Sequence, residues 1–278
     1  MRLFLISALA ILLSSCGIQK VKNIDYLPET LTSEKSQPKL NIFAPKEKPS
    51  EKMPVIIFAH GGNWNRGSKA GYGFYGRDLA RKNIVLVVPG YTLSPEVTYD
   101  TQAKQIAEAI KWTKANISDY GGDPNNIFVN GHSAGGHLAA LAVMNPKYGI
   151  NQNEISGLIL NDAAGLDIYS FNLEVPPKKG GFYDYVSTFT DDPEIWKDAS
   201  PINFVSEDNP PFLIMGGTKS IKSIIKYTDL FVEEVRKVQP EVNYTKFEKG
   251  HFSMMLHMIY GGQSIYKVIE DFIEVQRK

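Results

Sequence analysis

From residue 39 the chain alternates between two patterns of apolar positions. Short runs dominated by apolar residues read as strands: "KLNIFAP" (39–45), "PVIIFAH" (54–60), "NIVLVVP" (83–89), "NIFVNG" (126–131), "SGLILND" (156–162), "PFLIMG" (211–216) and "VNYTKFE" (242–248). A run such as 54–60, continuous rather than alternating, suits a strand covered on both faces. Between these runs, helical patterns span 76–82, 99–117, 134–144, 222–238 and 262–276; within "IAEAIKWTK", Ile106, Ala109, Ile110 and Thr113 keep the helical spacing. Strand and helix in repeated alternation predict an α/β domain over 38–278, with a mainly parallel sheet and helices on both faces. The charged, proline-bearing stretch 45–53 reads as a hairpin or turn between two early strands.

Two segments break this rhythm. Residues 163–205 carry Tyr169, Phe171, Phe182, Tyr183, Tyr185, Phe189 and Trp196 among prolines and glycines. That is long for a plain connection. It reads as a cap over a pocket, or as a local aromatic cluster without function. The N-terminus is different again: Arg2, an apolar run from Leu3 to Leu13, then small residues. The run is too short to span a bilayer and has the form of a secretory leader, 1–15. Residues 16–37 are polar without a clear period and read as a tether.

Composition narrows the function classes. Thirty basic and thirty acidic residues balance, so no electrostatic attraction to nucleic acid is built in. With 43% apolar and 22% charged residues the chain is ordinary globular protein. Cys16 is the single cysteine, so an internal disulfide is impossible. Leu13-Ser14-Ser15-Cys16 resembles the bacterial lipobox, and that resemblance implies lipidation of Cys16, a membrane anchor and a place in the cell envelope, with the outer membrane favoured. No histidine pair has the H-E-x-x-H spacing of a zinc site, so no metal is expected. "GYGFYG" (71–76) spells G-x-G-x-x-G but does not directly follow a strand, and no cofactor is expected.

The chemistry centres on "NIFVNGHSAGGHLAAL" (126–141). Ser133 lies between glycines, after an apolar strand and before a helix. In G-x-S-x-G at such a turn the serine backbone is strained, its neighbours must be small, and its hydroxyl is pushed out at a helix N-terminus. That terminus favours developing negative charge. "AHGGNWNRGSK" (59–69) follows an early strand, and its glycines allow N–H groups to converge on an oxyanion. Gly62, Asn63 and Ala134 are the candidate donors. Trp64 reads either as a pocket wall or as packing.

Taken in order, "HGGNW", "YTLSP" (91–95), "YGGDPNNIFVNGHSAGGHLAAL" (120–141) and "PPFLIMG" (210–216) resemble α/β-hydrolases of the esterase/lipase superfamily. The resemblance is greatest to the bacterial feruloyl-esterase-like and kynurenine-formamidase-like group. It implies the α/β-hydrolase fold, Ser133 as nucleophile, cleavage of a small-molecule or polysaccharide-linked ester, and a histidine after the last strand. His251 in "FEKGHFSMM" fits that place, with His257 as the other candidate.

Two positions depart from the family pattern. Its acid position, in G-x-x-Asp after "PPFLIMG", reads Lys219, and the arginine of its "YRLSP" is Thr92. Either the acid has moved to the end of the preceding strand, with Asp162 preferred, Asp167 second and Glu248 behind, or it is absent. Absence implies a weak Ser–His dyad or a non-catalytic surface binding protein.

Overall fold

Apolar residues at successive positions of a strand point to opposite faces, so an all-apolar strand demands cover on both. The computed structural model describes residues 17–260 and 263–277 and shows how this demand is met. Eight strands form one sheet: β1 (Ile18–Asp25), β2 (Lys39–Pro45), β3 (Met53–Ala59), β4 (Val85–Pro89), β5 (Gly122–His132), β6 (Gly157–Asn161), β7 (Phe212–Gly217) and β8 (Asn243–Phe247). Their spatial order is β1-β2-β4-β3-β5-β6-β7-β8. Strands from β4 through β8 are mutually parallel; β2 is antiparallel to both β1 and β4.

Along β3 the side chains divide between two cores. Val55, Ile57 and Ala59 join one that includes residues of α2 (Tyr99–Asn116), α3 (Ala134–Met144) and α7 (Lys222–Arg236). Ile56 and Phe58 join the other, with α1 (Gly73–Ala80), α8 (His251–Ile259) and α9 (Ser264–Gln276). This is the doubly covered parallel sheet the sequence predicts. Such sheets place functional residues in loops beyond the carboxyl ends of their strands, and the loops after β5, β6, β7 and β8 build the site described below.

Three expectations need correction or completion. Residues 17–37 are not a free tether. β1 pairs with β2 along the sheet edge, and Tyr26 donates its hydroxyl to the Gly90 carbonyl. Gln105 then joins the Leu31 carbonyl to the Thr92 hydroxyl at 2.9 and 3.0 Å, and Ser36 hydrogen-bonds Thr92 at 2.9 Å. The threonine in place of the family's arginine thus belongs to a buried network that holds the N-terminal segment. Residues 45–53 do not form a hairpin, because β4 lies between β2 and β3. In 163–205, three short helices form: α4 (Ile168–Glu174), α5 (Tyr185–Phe189) and α6 (Pro193–Asp198). Of their aromatic residues, Phe171, Tyr185 and Phe189 line a cleft. The leader and Cys16 lie outside the described residues.

Candidate active site

At the end of β5 the chain turns sharply into α3, and Ser133 sits on that turn with φ 54° and ψ −128°. A non-glycine residue there stores backbone strain of about 1–3 kcal/mol, which the surroundings must impose. They do so by close approach. A Cβ on Gly131 would lie 2.3 Å from the Gly135 carbonyl oxygen, and one on Gly135 only 2.1 Å from that of Ala59. The two outer glycines of G-x-S-x-G therefore let strand, turn and helix touch.

His251 begins α8 immediately after β8. The helix is seated by the buried Met254 and Met258, and Asn161 at the end of β6 donates to the Met254 carbonyl at 3.2 Å. This seating carries the imidazole over the serine: Ser133 Oγ lies 2.9 Å from His251 Nε2. The other ring nitrogen, Nδ1, is 2.6 Å from Asp162 Oδ2. An ionised carboxylate only accepts, so Nδ1 carries the proton and Nε2 is left to accept from the serine hydroxyl.

Asp162 follows β6 directly and is buried, with φ 47°. Burial alone pushes its pKa up. Hydrogen bonds from His251, the Gly217 N–H (2.9 Å to Oδ1) and the Ser220 hydroxyl (to Oδ2) outweigh that and hold the carboxyl below its usual range. Ser220 Oγ also lies 3.5 Å from His251 Nδ1. The structure thus adds Ser220, which sequence reasoning passed over beside Lys219. Its only sequence signal is that it too stands three residues after a glycine, Gly217.

The remaining candidates fall elsewhere. Lys219 turns to solvent in an ion pair with Glu248 at 2.8 Å. Asp167 caps α4, accepting from the Ser170 N–H at 2.9 Å. His257 lies 3.3 Å from the Lys249 ammonium. His132 is buried beneath the site, its ring 4.7 Å from that of His251, with Nε2–H donating to the His251 carbonyl at 3.1 Å. Burial, reinforced by the neighbouring imidazole, pushes its pKa down to about 3. Ligand atoms of His132, Asp162 and His251 come within 4.8 Å of one another. Within it Asp162 Oδ2 and His251 Nδ1 hydrogen-bond each other, and His132 Nε2 bonds the His251 carbonyl.

The loop after β3 lies against the elbow: a Cβ on Gly61 would be 2.9 Å from the His132 carbonyl oxygen and 3.2 Å from Ser133 Cβ. Gly62, Asn63 and Trp64 run with φ of 136°, 52° and 59°, a left-handed stretch that lifts this backbone over the serine. At Gly62 a Cβ would meet the Arg66 carbonyl oxygen at 2.1 Å. The Asn63 side chain is fixed by the cap, donating to the Phe182 carbonyl at 2.9 Å and accepting from the Tyr185 hydroxyl at 3.2 Å. Ala134 opens α3, so its N–H belongs to the first turn, where no intrahelical partner exists.

Above the serine opens a cleft of about 840 Å³. Trp64, Tyr185 and Phe189 make one wall, Ile168, Phe171 and Tyr227 another. Trp64 is both wall and packing: its indole N–H donates to His137 Nδ1 at 3.0 Å, and His137 Nε2–H donates to the Ala199 carbonyl at 2.8 Å. The cap is thereby tied to α3 through a buried imidazole.

A family model described as BD-FAE matches residues 40–163. Esterase LipC of Mycobacterium tuberculosis is 31% identical over 250 residues, which are 85% of this chain and 62% of that protein. The chain spans only about three-fifths of the length of these curated relatives, 62% of LipC and 57% of esterase LipQ from the same organism. Among solved structures, esterase B of Lactobacillus rhamnosis superposes with a TM-score of 0.74 at 20% identity, over 93% of this chain and 85% of that one. Thermogutta terrifontis esterase 2, solved phosphorylated by paraoxon, gives 0.67 at 22% identity, over 91% and 90%. The fold is the α/β-hydrolase fold.

Proposed function

We propose that this protein is a serine hydrolase of carboxylic esters that works through an acyl-enzyme on Ser133. The observation that carries this reading is the unbroken relay from Ser133 Oγ to His251 (2.9 Å) to Asp162 (2.6 Å) at the floor of an open, largely apolar cleft. His251 Nε2 takes the serine proton as Oγ attacks the ester carbonyl. Asp162 holds the tautomer and stabilises the imidazolium that forms. The carbonyl oxygen, now negative, is met by N–H groups of Gly62, Asn63 and Ala134, each such donor worth about 3–4 kcal/mol in the transition state. Collapse breaks the ester C–O bond, and the imidazolium returns its proton to the departing alcohol. Water, deprotonated by the same imidazole, then releases the acid and restores Ser133.

A non-catalytic reading drew its support from the lysine at the family's usual acid position. With Lys219 in solvent and a carboxylate on His251 from another strand, that support is gone. The esterase names of the relatives agree with the hydrolytic reading. Turnover of a short p-nitrophenyl ester is the test. Wild type hydrolyses it, Ser133→Ala does not, and a phosphonate ester adds its mass to wild type alone. Equal turnover by Ser133→Ala removes Ser133 from the mechanism.

We further infer assignment to the feruloyl-esterase-like and kynurenine-formamidase-like group, and lipidation at Cys16 with residence in the bacterial envelope. The BD-FAE match supports the first, the leader and lipobox pattern the second. Fractionation of Cys16→Ser tests the anchor: a variant that stays with the membrane as wild type does refutes it.

A further inference from the structure

Exposed apolar side chains gather at one place on this molecule. Ten large hydrophobic side chains are exposed among the described residues, and five of them, Val175, Phe182, Tyr183, Ile221 and Phe252, also line the cleft. Each is between 46% and 66% exposed, with one side on the cavity and the other on solvent. Together they form a collar around the mouth. Leu173, at the end of α4, is 56% exposed beside them and does not line the cleft.

The collar carries a charge of its own. Its segments, 173–184, 219–226 and 248–252, hold six lysines against three carboxylates, in a chain whose charges balance overall. Two of these carboxylates are taken up by lysines across segments, Glu174 by Lys226 and Glu248 by Lys219. The third, Asp184, caps α5 by accepting from the Ser187 N–H at 2.9 Å. Lys178, Lys179, Lys222 and Lys249 then face only the single charge of Asp184, which Lys179 stabilises, so the collar keeps a net excess of three positive charges. Arg66 adds to them, its guanidinium 3.5 Å from the centre of the Phe182 ring.

Apolar side chains with uncompensated cations beside them are what an anionic bilayer recognises: the former insert at headgroup depth, the latter meet the negative surface. A small ester dissolved in water calls on neither Leu173, Lys179 nor Lys222, since none lines the cleft. We propose that this collar docks on an anionic lipid surface, mouth toward the bilayer. If the cleft is the site of ester cleavage, as argued above, its substrate then enters from the lipid side. Docking itself stands apart from that reading.

The test uses the full chain and vesicles of phosphatidylcholine alone or with about a third phosphatidylglycerol, at low salt. Wild type is expected to float several-fold more with the anionic vesicles, and the preference to shrink at about 0.5 M salt. The N-terminal apolar run is common to every variant and both vesicles, so the ratio reads the collar. Lys179→Glu/Lys222→Glu should abolish the preference and Leu173→Ser weaken anionic binding, while all hydrolyse a soluble short ester at the wild-type rate. Equal wild-type binding to both vesicles, or full preference in the charge-reversed variant, overturns the proposal. So does a stable dimer that dissociates on Leu173→Ser, which would assign the collar to a second copy. Anionic binding without Ser133-dependent turnover sinks the hydrolase reading and leaves docking standing; turnover without lipid preference does the reverse.

Discussion

Asp162 leaves β6 in a left-handed conformation, and its carboxylate is met by three donors, two from the turn that ends β7 and one from the start of α8. Asp162→Asn keeps the shape but allows the wrong tautomer of His251, and kcat should fall by about 10⁴. Asp167→Asn is the control. Asp167 caps α4 at the edge of the cleft and makes no hydrogen bond to His251, so a rate within a few-fold of wild type is expected, with stability changed by no more than about 1 kcal/mol. Equal damage from both would reassign the acid. Ser220 invites a sharper experiment. Ser220→Ala removes one donor from a buried carboxylate, and kcat should drop about tenfold at nearly constant KM, roughly 1.4 kcal/mol. Because Ser220 Oγ lies 3.5 Å from His251 Nδ1, Ser220→Asp added to Asp162→Asn should recover at least about tenfold of the lost rate. No recovery would mean that the loop after β7 cannot hold an acid in register. A sequence does not show this residue for what it is. Lys219 and Ser220 each stand three places after a glycine, and only the turn after β7 decides which side chain faces the imidazole.

At the scale of elements, the legible parts are those whose surroundings are uniform. β2 through β7 carry apolar runs because they are buried on both sides, and α2 and α3 were readable to within about a residue. β1 was not. "IQKVKNID" is an edge strand with most side chains in solvent, it bulges between Val21 and Ile24, and its partner is recognised only once β2 is in place. The short cap helices were equally hidden, since each is set by a capping aspartate, Asp167, Asp184 or Asp192, within a proline- and glycine-broken stretch. The elbow was legible because it is an element in itself: strand, glycine, serine, glycine, helix. Its tolerance is correspondingly small. Gly135→Ala forces a Cβ against the Ala59 carbonyl oxygen, and we expect a loss of about 2–3 kcal/mol in urea unfolding together with esterase activity. An unchanged midpoint would show that α3 can move away from β3.

Over the whole molecule, three imidazoles are packed away uncharged. Burial pushes His60 and His137 down to about 4 and His132 to about 3. In the unfolded chain they titrate near 6.5. Unfolding therefore takes up protons below that pH, so their share of stability is whole above about 6.5 and is lost as pH falls toward 4 and 3. Urea midpoints should decline steeply across this window. His137→Gln should flatten the decline by about one proton, roughly 1.4 kcal/mol per pH unit. A slope unchanged in that variant would mean His137 is already charged in the native state. The sheet has a temporal consequence as well. Nucleophile, acid and base follow β5, β6 and β8, so the base arrives last along the chain and depends on α8 settling over Asn161. Activity is thus a clock for completion. On a ribosome the three groups cannot meet until the chain through α8 has emerged. In refolding, hydrolysis should return later than the packing of Trp112, which lies on α2 against Tyr120 in a segment that precedes the acid. Simultaneous recovery of fluorescence and turnover would mean that the sheet closes in a single step.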